Sequence, residues 1–212
     1  MKILNANQTS FLTSNQKKIK RSIFGPKTLT VVKGPAGTGK TMLSCDFAIR
    51  LLHDEDNKYE RLIVTRPLVG VMQEQIGYLP GNINDKIAPW TDVIDNYTKS
   101  SPVEFIPLVF MRGHTFDNSI VIADEMQNST PEQMKTLLSR IGYNTKLILN
   151  GDPYQSDIRD KNGLHDITER MKEYGDCEYY DFIELTIDDI KRSEFVKFIY
   201  TLYENDEVIQ CP

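Results

Sequence analysis

The sequence predicts an α/β fold on a mostly parallel sheet, and three stretches carry that expectation. Gly34-Pro35-Ala36-Gly37-Thr38-Gly39-Lys40-Thr41 stands between a β-branched apolar run, Thr28 to Val32, and a helical run from Met42 to Ile49. Arg61-Leu62-Ile63-Val64-Thr65 then follows, so strand, loop, helix and strand succeed one another as in the crossover unit of a parallel sheet. Ser119-Ile120-Val121-Ile122-Ala123 is the kind of continuous β-branched run that a sheet buried on both faces requires.

Taken in order, Asn15 to Ile23 predicts a short helix capped by Thr13 or Ser14, whose basic run Lys17 to Arg21 reads either as a solvated face or as part of a nucleic-acid contact. Residues 28–33 predict the first strand, and Lys40 to Leu52 the helix behind the glycine-rich loop, with Met42, Leu43, Phe47, Ala48, Leu51 and Leu52 facing inward. Leu68 to Ser100 reads as helical, interrupted by the turn-rich Gly77-Tyr78-Leu79-Pro80-Gly81, and Trp90 falls in an amphipathic stretch, Asn84 to Tyr97. Val103 to Leu108 is the third expected strand. Thr130-Pro131-Glu132-Gln133 is a helix start with a capping box and proline in first position, running to about Arg140. Lys146 to Asn150 is a strand, Gly163 to Tyr174 a helix, Tyr179 to Leu185 the last strand and Ile190 to Tyr203 the last helix. This divides the chain into an N-terminal segment, 1–27, one nucleotide-binding domain, 28–204, and a frayed tail, 205–212.

Bulk numbers narrow the function. The 212 residues suit one buried core, 40% are hydrophobic, and the formal charge of −5 argues against coating nucleic acid by bulk electrostatics while permitting a local basic contact. No signal peptide or membrane-length segment is visible, so cytoplasmic residence without a membrane partner is the simple reading. Cys45, Cys177 and Cys211 lie far apart and pair with no histidine at metal-ligand spacing, and His53, His114 and His165 are isolated.

The chemistry starts from the loop. Its G-x-x-x-x-G-K-T spacing lets successive N–H groups point inward at a phosphate, adds the positive end of the following helix, and places Lys40 for the β- and γ-phosphates and Thr41 for Mg²⁺. The bland alternative is a glycine-rich turn. With Gly at about 7% of residues, a chance match in a chain this long is roughly a one-in-a-hundred event. Asp124-Glu125 then ends the apolar strand as the second half of such a site: Asp124 for the metal, Glu125 to orient and deprotonate a water. Thr65-Arg66 and Asn150-Gly151-Asp152 with Gln155 belong at the same carboxyl edge, where Gln155 can sense a γ-phosphate.

Together Gly34 to Thr41, Thr65-Arg66-Pro67, Gly77 to Gly81, Met111-Arg112-Gly113, Asp124-Glu125-Met126-Gln127-Asn128, Gln133-Met134-Lys135, Arg140-Ile141-Gly142 and Gly151-Asp152-Pro153-Tyr154-Gln155 follow the order seen in PhoH-like proteins. The chain resembles that family from about Asn15 to Tyr203. The resemblance implies a three-layer P-loop NTPase fold, RecA-like and similar to the first motor lobe of superfamily 1 helicases. It also implies that Gln16 reads the adenine edge, that Gly34 through Thr41, with Lys40, hold ATP, that Thr41 and Asp124 hold Mg²⁺, that Glu125 serves the water, and that Arg192 acts as a finger on phosphate. Ser193-Glu194 departs from the expected His-Pro, and Lys191 competes with Arg192 for that role.

The functional expectation is an Mg²⁺-dependent ATPase coupled to RNA or single-stranded DNA, the coupling being implied by the resemblance, in which Thr65-Arg66-Pro67 stands at a position that contacts the strand backbone in the helicases, and by the Lys17 to Arg21 run. With one motor lobe, a neighbouring subunit completes the site, and a homo-oligomeric ring such as a hexamer is the natural arrangement. RNA cleavage by a fused PIN domain is not carried over, because no such domain fits in this length. A small-molecule kinase and an ATP-operated switch with little turnover are the alternatives; the first would yield a phosphorylated acceptor, and the second would be insensitive to Glu125→Gln.

Overall fold

A computed structural model of the protein describes residues 11–56, 58–68, 91, 94, 98, 103–152, 155–158, 161–191 and 193–204. The described elements run α1 (Ser14–Ile23), β1 (Leu29–Lys33), α2 (Lys40–Leu52), β2 (Arg61–Thr65), β3 (Val103–Phe105), β4 (Ser119–Ala123), α3 (Pro131–Leu138), β5 (Lys146–Gly151), α4 (Gly163–Tyr174), β6 (Tyr180–Glu184) and α5 (Glu194–Glu204). The six strands form one sheet in the order β3-β2-β4-β5-β1-β6, and every pairing is parallel. This is a three-layer α/β P-loop fold.

Alternation along the strands divides the core in two. Val32, Leu62, Val64, Ile120, Ile122 and Ile148 face α2, while Val31, Ile63, Val121, Leu147 and Leu149 face Met134 and Leu137 of α3 and Leu164 and Met171 of α4. Helix α2 is buried continuously from Leu43 to Ile49, because α1 covers its outer side with the fully buried Ile19 and Ile23. Burying one such side chain contributes about 1.5–3 kcal/mol. Residues 14–23 of the N-terminal segment are therefore built into the core of the domain.

Local signals set most boundaries. Thr13 caps α1 and Gln16 reaches back to close the box; Thr130 and Gln133 repeat the device at α3, with Pro131 in the first turn. The far end of α1 is fastened by Lys146, 2% exposed at the start of β5, whose ammonium donates to the carbonyls of Gly25 at 2.8 Å and of Lys27. Burial pulls that ammonium down to about 8.

Three expectations shift. The third strand stops at Phe105, since Pro107 lacks an N–H for a ladder and Leu108–Phe110 turns into a 3-10 helix. The last helix begins at Glu194 rather than Ile190, because Thr186 and Asp189 close a separate 3-10 turn over Ile187–Asp189. Helix α3 ends at Leu138, two residues short of Arg140. Trp90, the insert Gly77 to Gly81, Arg192 and the tail lie outside the described residues, although Thr91, Ile94 and Thr98 are helical and the last two are buried.

Candidate functional site

Because every strand runs the same way, the ends of β1, β4 and β5 open on one edge of the sheet, with β5 between the other two. The glycine-rich loop leaves β1 and enters α2 at Gly39, whose φ of 84° is left-handed and costs a side-chain-bearing residue strain. Its backbone carbonyls are already engaged: Lys40 Nζ donates to Gly34 O at 2.6 Å and to Pro35 O at 2.9 Å, and Thr38 Oγ1 donates to Pro35 O at 2.8 Å. Burial lowers the Lys40 ammonium, and the carboxylates of Asp152, Glu125 and Asp124 partly restore it. Those three acids therefore surround the lysine electrostatically.

Thr41 Oγ1 donates to Asp124 Oδ1 at 2.9 Å, joining α2 to the end of β4. The same carboxylate oxygen accepts from Asn150 Nδ2 at 3.3 Å, and Ser44 Oγ donates to Asn150 Oδ1 at 2.9 Å. Asp124 is 8% exposed; burial and the neighbouring Glu125 push its carboxyl up, against the pull of Thr41, Arg66 and Asn150. A buried carboxylate short of positive charge, with a hydroxyl beside it, is a hard oxygen pair that suits Mg²⁺. That ion commonly takes one or two protein oxygens and leaves its other positions to water and phosphate. No group of three His, Cys, Asp or Glu fit to hold a metal occurs among the described residues.

Glu125 sits at φ 54°, ψ 38°, a left-handed conformation for a residue with a full side chain. Such a conformation costs on the order of 1–3 kcal/mol and persists only when the surroundings impose it. Gln127, 2% exposed, supplies one part of that constraint: its Nε2 donates to Glu125 Oε2 at 2.6 Å while its Oε1 accepts from the Asp152 N–H at 3.1 Å. Gly151 makes room for it, since a Cβ there would stand 2.6 Å from Gln127 Oε1 and from Leu164 Cδ2. Ser156 Oγ adds a bond to Gln127 O at 2.8 Å, and Asn128 Oδ1 accepts from the Asp157 N–H at 2.9 Å. The turn after β4 is thus bolted to the turn after β5.

Gln155 lies across the loop. Its Nε2 donates at 2.7 Å to Tyr200 Oη of α5, and the Ala36 N–H donates to the same oxygen at 2.8 Å. Gln16 is 4% exposed and its amide is occupied, accepting from Thr13 N–H at 3.0 Å and donating to Thr38 O at 3.0 Å and Asp189 O at 3.1 Å. Asp189 in turn accepts from Thr13 Oγ1, Asn15 Nδ2 and the Thr186 N–H; burial opposes its ionisation, but these bonds hold its carboxyl below the usual range. Of Thr65-Arg66-Pro67, solvent reaches Arg66, whereas Thr65 and Pro67 are buried. Cys45 is a buried core thiol.

The structure therefore brings Lys40, Thr41, Asp124, Glu125 and the Gly34-to-Thr41 loop together, places Gln16 against that loop and links Gln155 to it through Tyr200 Oη. Sequence reasoning assigned no role to Ser44, Gln127 or Tyr200. Ser44 stands one helical turn from Thr41, a spacing that puts both on one face, and Gln127 lies in the quoted Asp124 to Asn128 stretch; for Tyr200 the sequence holds no signal.

The family model described as PhoH-like protein matches residues 8–204. The chain is 36% identical to a PhoH-like protein of Synechocystis over 199 residues, covering 87% of this chain and 59% of that one. It is 32% identical over 210 residues to a PhoH-like protein of Mycobacterium tuberculosis, with 92% and 58% covered, and 40% identical over 164 residues to Protein PhoH of Escherichia coli, with 69% and 46% covered. It thus spans about half the length of these relatives. Similar solved structures include Pif1 helicase from Candida albicans, at TM-score 0.49 and 18% identity, covering 91% of this chain and 43% of that one. Another is Pif1 helicase from Bacteroides in complex with ADP-AlF3 and ssDNA, at 0.44 and 16%, covering 91% and 46%. Among the described residues no helix is long and apolar enough to cross a membrane.

Proposed function

The chain belongs to the PhoH-like protein family, and on that premise we propose that it is an Mg²⁺-dependent ATPase whose turnover is coupled to RNA or single-stranded DNA. The observation that carries the reading is the Thr41–Asp124 contact, 2.9 Å, beside a phosphate-binding loop and next to a strained, braced Glu125. Thr41 and Asp124 would hold Mg²⁺, which when bound neutralises charge on the β- and γ-phosphates. Lys40 leaves the Gly34 and Pro35 carbonyls for phosphate oxygens, exchanging neutral acceptors for charged ones. Glu125 accepts the proton of the attacking water while Gln127 fixes the carboxylate's direction. Gln155 reports the γ-phosphate. For Gln16 to read an adenine edge it must trade its bonds to Thr38 and Asp189 for bonds to the base.

Arg192 from an adjoining subunit completes the site in a homo-oligomeric ring such as a hexamer, and cytoplasmic residence suits this role. Specific activity that stays constant on dilution to a demonstrated monomer would remove the ring. The deciding experiment measures phosphate release with and without single-stranded RNA or DNA, with Lys40→Ala as blank. ATP-dependent release that the polymer raises is the expected result; release without stimulation by either polymer leaves an ATPase without the nucleic-acid coupling, and a phosphorylated acceptor in place of free phosphate points to a kinase.

A further inference from the structure

Two N–H donors that the ATPase reading assigns to phosphate meet on a single phenolic oxygen. Ala36 N–H and Gln155 Nε2 both donate to Tyr200 Oη, at 2.8 and 2.7 Å, so this oxygen stands where a loop amide and the γ-phosphate sensor converge. We propose that Tyr200 is a latch: its hydroxyl closes α5 over the phosphate loop and competes with the terminal phosphate of ATP for Ala36 and Gln155. The proposal rests on the ATPase reading and assigns α5 to the regulation of that site.

The way α5 is held fits a latch. Val196 and Tyr200, four residues apart, share the face turned to the loop. A Cβ on Gly37 would lie 3.6 Å from methyl carbons of both Val196 and Ile190, so small apolar groups of α5 and of the turn before it stand beside the loop. On α5 itself Phe195, Phe198 and Leu202 stay 68%, 56% and 45% exposed. Little apolar area therefore resists lifting the helix, which places it at the low-stability end of the molecule. A phosphate oxygen bears charge and the phenol does not, and charge-assisted hydrogen bonds are about twice as strong as neutral ones. ATP should therefore win the two donors and release α5, whereas a nucleotide ending at the β-phosphate leaves Gln155 on Tyr200.

Tyr200→Phe tests this, because it removes one oxygen from a partly exposed side chain. Two readouts are needed: amide exchange at Ala36 and across 194–204 in the nucleotide-free protein, and calorimetric affinity for AMP-PNP and ADP. Losing a competitor held by two neutral bonds should tighten AMP-PNP about threefold to tenfold, with a smaller change for ADP and faster exchange at Ala36. Unchanged or weaker AMP-PNP binding, or unchanged Ala36 exchange, overturns the latch and leaves the ATPase reading where phosphate release puts it. Faster exchange with tighter AMP-PNP binding in a protein that releases no phosphate sustains the latch and rejects hydrolysis. A folded protein whose wild type and Tyr200→Phe variant both fail to bind AMP-PNP rejects both.

Discussion

The two walls of the candidate site are built differently. On the strand side, Ser44, Asn150, Asp124 and Thr41 form an uninterrupted chain of hydrogen bonds, and Gln127 ties Glu125 to Asp152; Ser44, Asn150, Asp124 and Gln127 are all less than 9% exposed. On the helix side, α5 reaches the loop and Gln155 through the Tyr200 oxygen, with a Val196 methyl beside Gly37 and its outer aromatic residues in solvent. Buried networks fully satisfied in a low-dielectric interior hold their geometry, whereas exposed neutral bonds exchange with water or ligand at little cost. On the proposed ATPase reading, the contrast assigns precision to the side that would hold metal and water and adjustability to the side that would face the terminal phosphate.

Substitutions on the strand wall should break chemistry rather than binding. Glu125→Gln removes the proposed base and should cut ATP turnover about 10²–10⁴-fold while nucleotide affinity stays near that of the parent protein; single-turnover phosphate release beside a binding titration checks it. Equal turnover in the variant would remove Glu125 from the mechanism and favour the switch. Next in size, Gly151→Ala puts a Cβ 2.6 Å from Gln127 Oε1 and Leu164 Cδ2. Overpacking of this kind costs about 1–3 kcal/mol, and with the Gln127 brace displaced, kcat should fall by roughly tenfold, within the range a mispositioned group produces. An Ala variant with parental Tm and kcat would show that Glu125 does not depend on the brace.

Asp124 tests the cost of the rigid wall. Its carboxyl is raised in the fold above the ordinary 3.8, so the folded state holds the proton more tightly than the unfolded chain does. Stability from this group therefore falls as pH climbs from about 3.8 through the folded value, and the penalty is complete above it. Asp124→Asn keeps an oxygen for Thr41 and Asn150 and has no charge to bury. Without Mg²⁺ or nucleotide, and at a pH above the folded value, it should raise Tm. The gain should shrink as acid protonates the wild-type carboxyl, and hydrolysis should be lost. A pH-independent gain would point to a cause other than the buried charge.

Legibility in the sequence followed the range of the interactions. Bounds set by local patterns were readable: Lys40 to Leu52, Arg61 to Thr65, Ser119 to Ala123 and Gly163 to Tyr174 fall where apolar runs meet a cap, a glycine or an acid. The start of the last helix was only half legible: the Thr186–Asp189 box that closes the 3-10 turn is a local spacing, but Asp189 is also held by Thr13 and Asn15, 176 and 174 residues away, and no local signal encodes that fastening. The site behaved alike. Loop, lysine, threonine and acid pair are fixed by spacing along the chain, whereas the Gln127 brace needs the end of β5, the Gln16 contacts need Thr38 and Asp189, and Tyr200 meets Ala36 and Gln155 only through the tertiary fold.

The smallest expected effect concerns a hydroxyl in the rigid wall. Thr65 ends β2 beside Ala123 and is fully buried, and its Oγ1 has no hydrogen-bond partner among the described residues. A buried hydroxyl left in this way costs roughly 1–3 kcal/mol. Valine keeps the branched shape that suits a strand, so Thr65→Val should leave Tm unchanged or raise it by the equivalent of up to about 1 kcal/mol, in the lower part of that range. The substitution also separates two roles within Thr65-Arg66-Pro67. Only Arg66 of the three is reached by solvent, so if this triplet touches a nucleic-acid backbone, Arg66→Ala should weaken binding and flatten its salt dependence, while Thr65→Val leaves both as they are. A loss of RNA or DNA affinity in Thr65→Val at unchanged Tm would mean that the end of β2 opens when the strand binds, and the strand-side wall would then be less rigid than its hydrogen bonds imply.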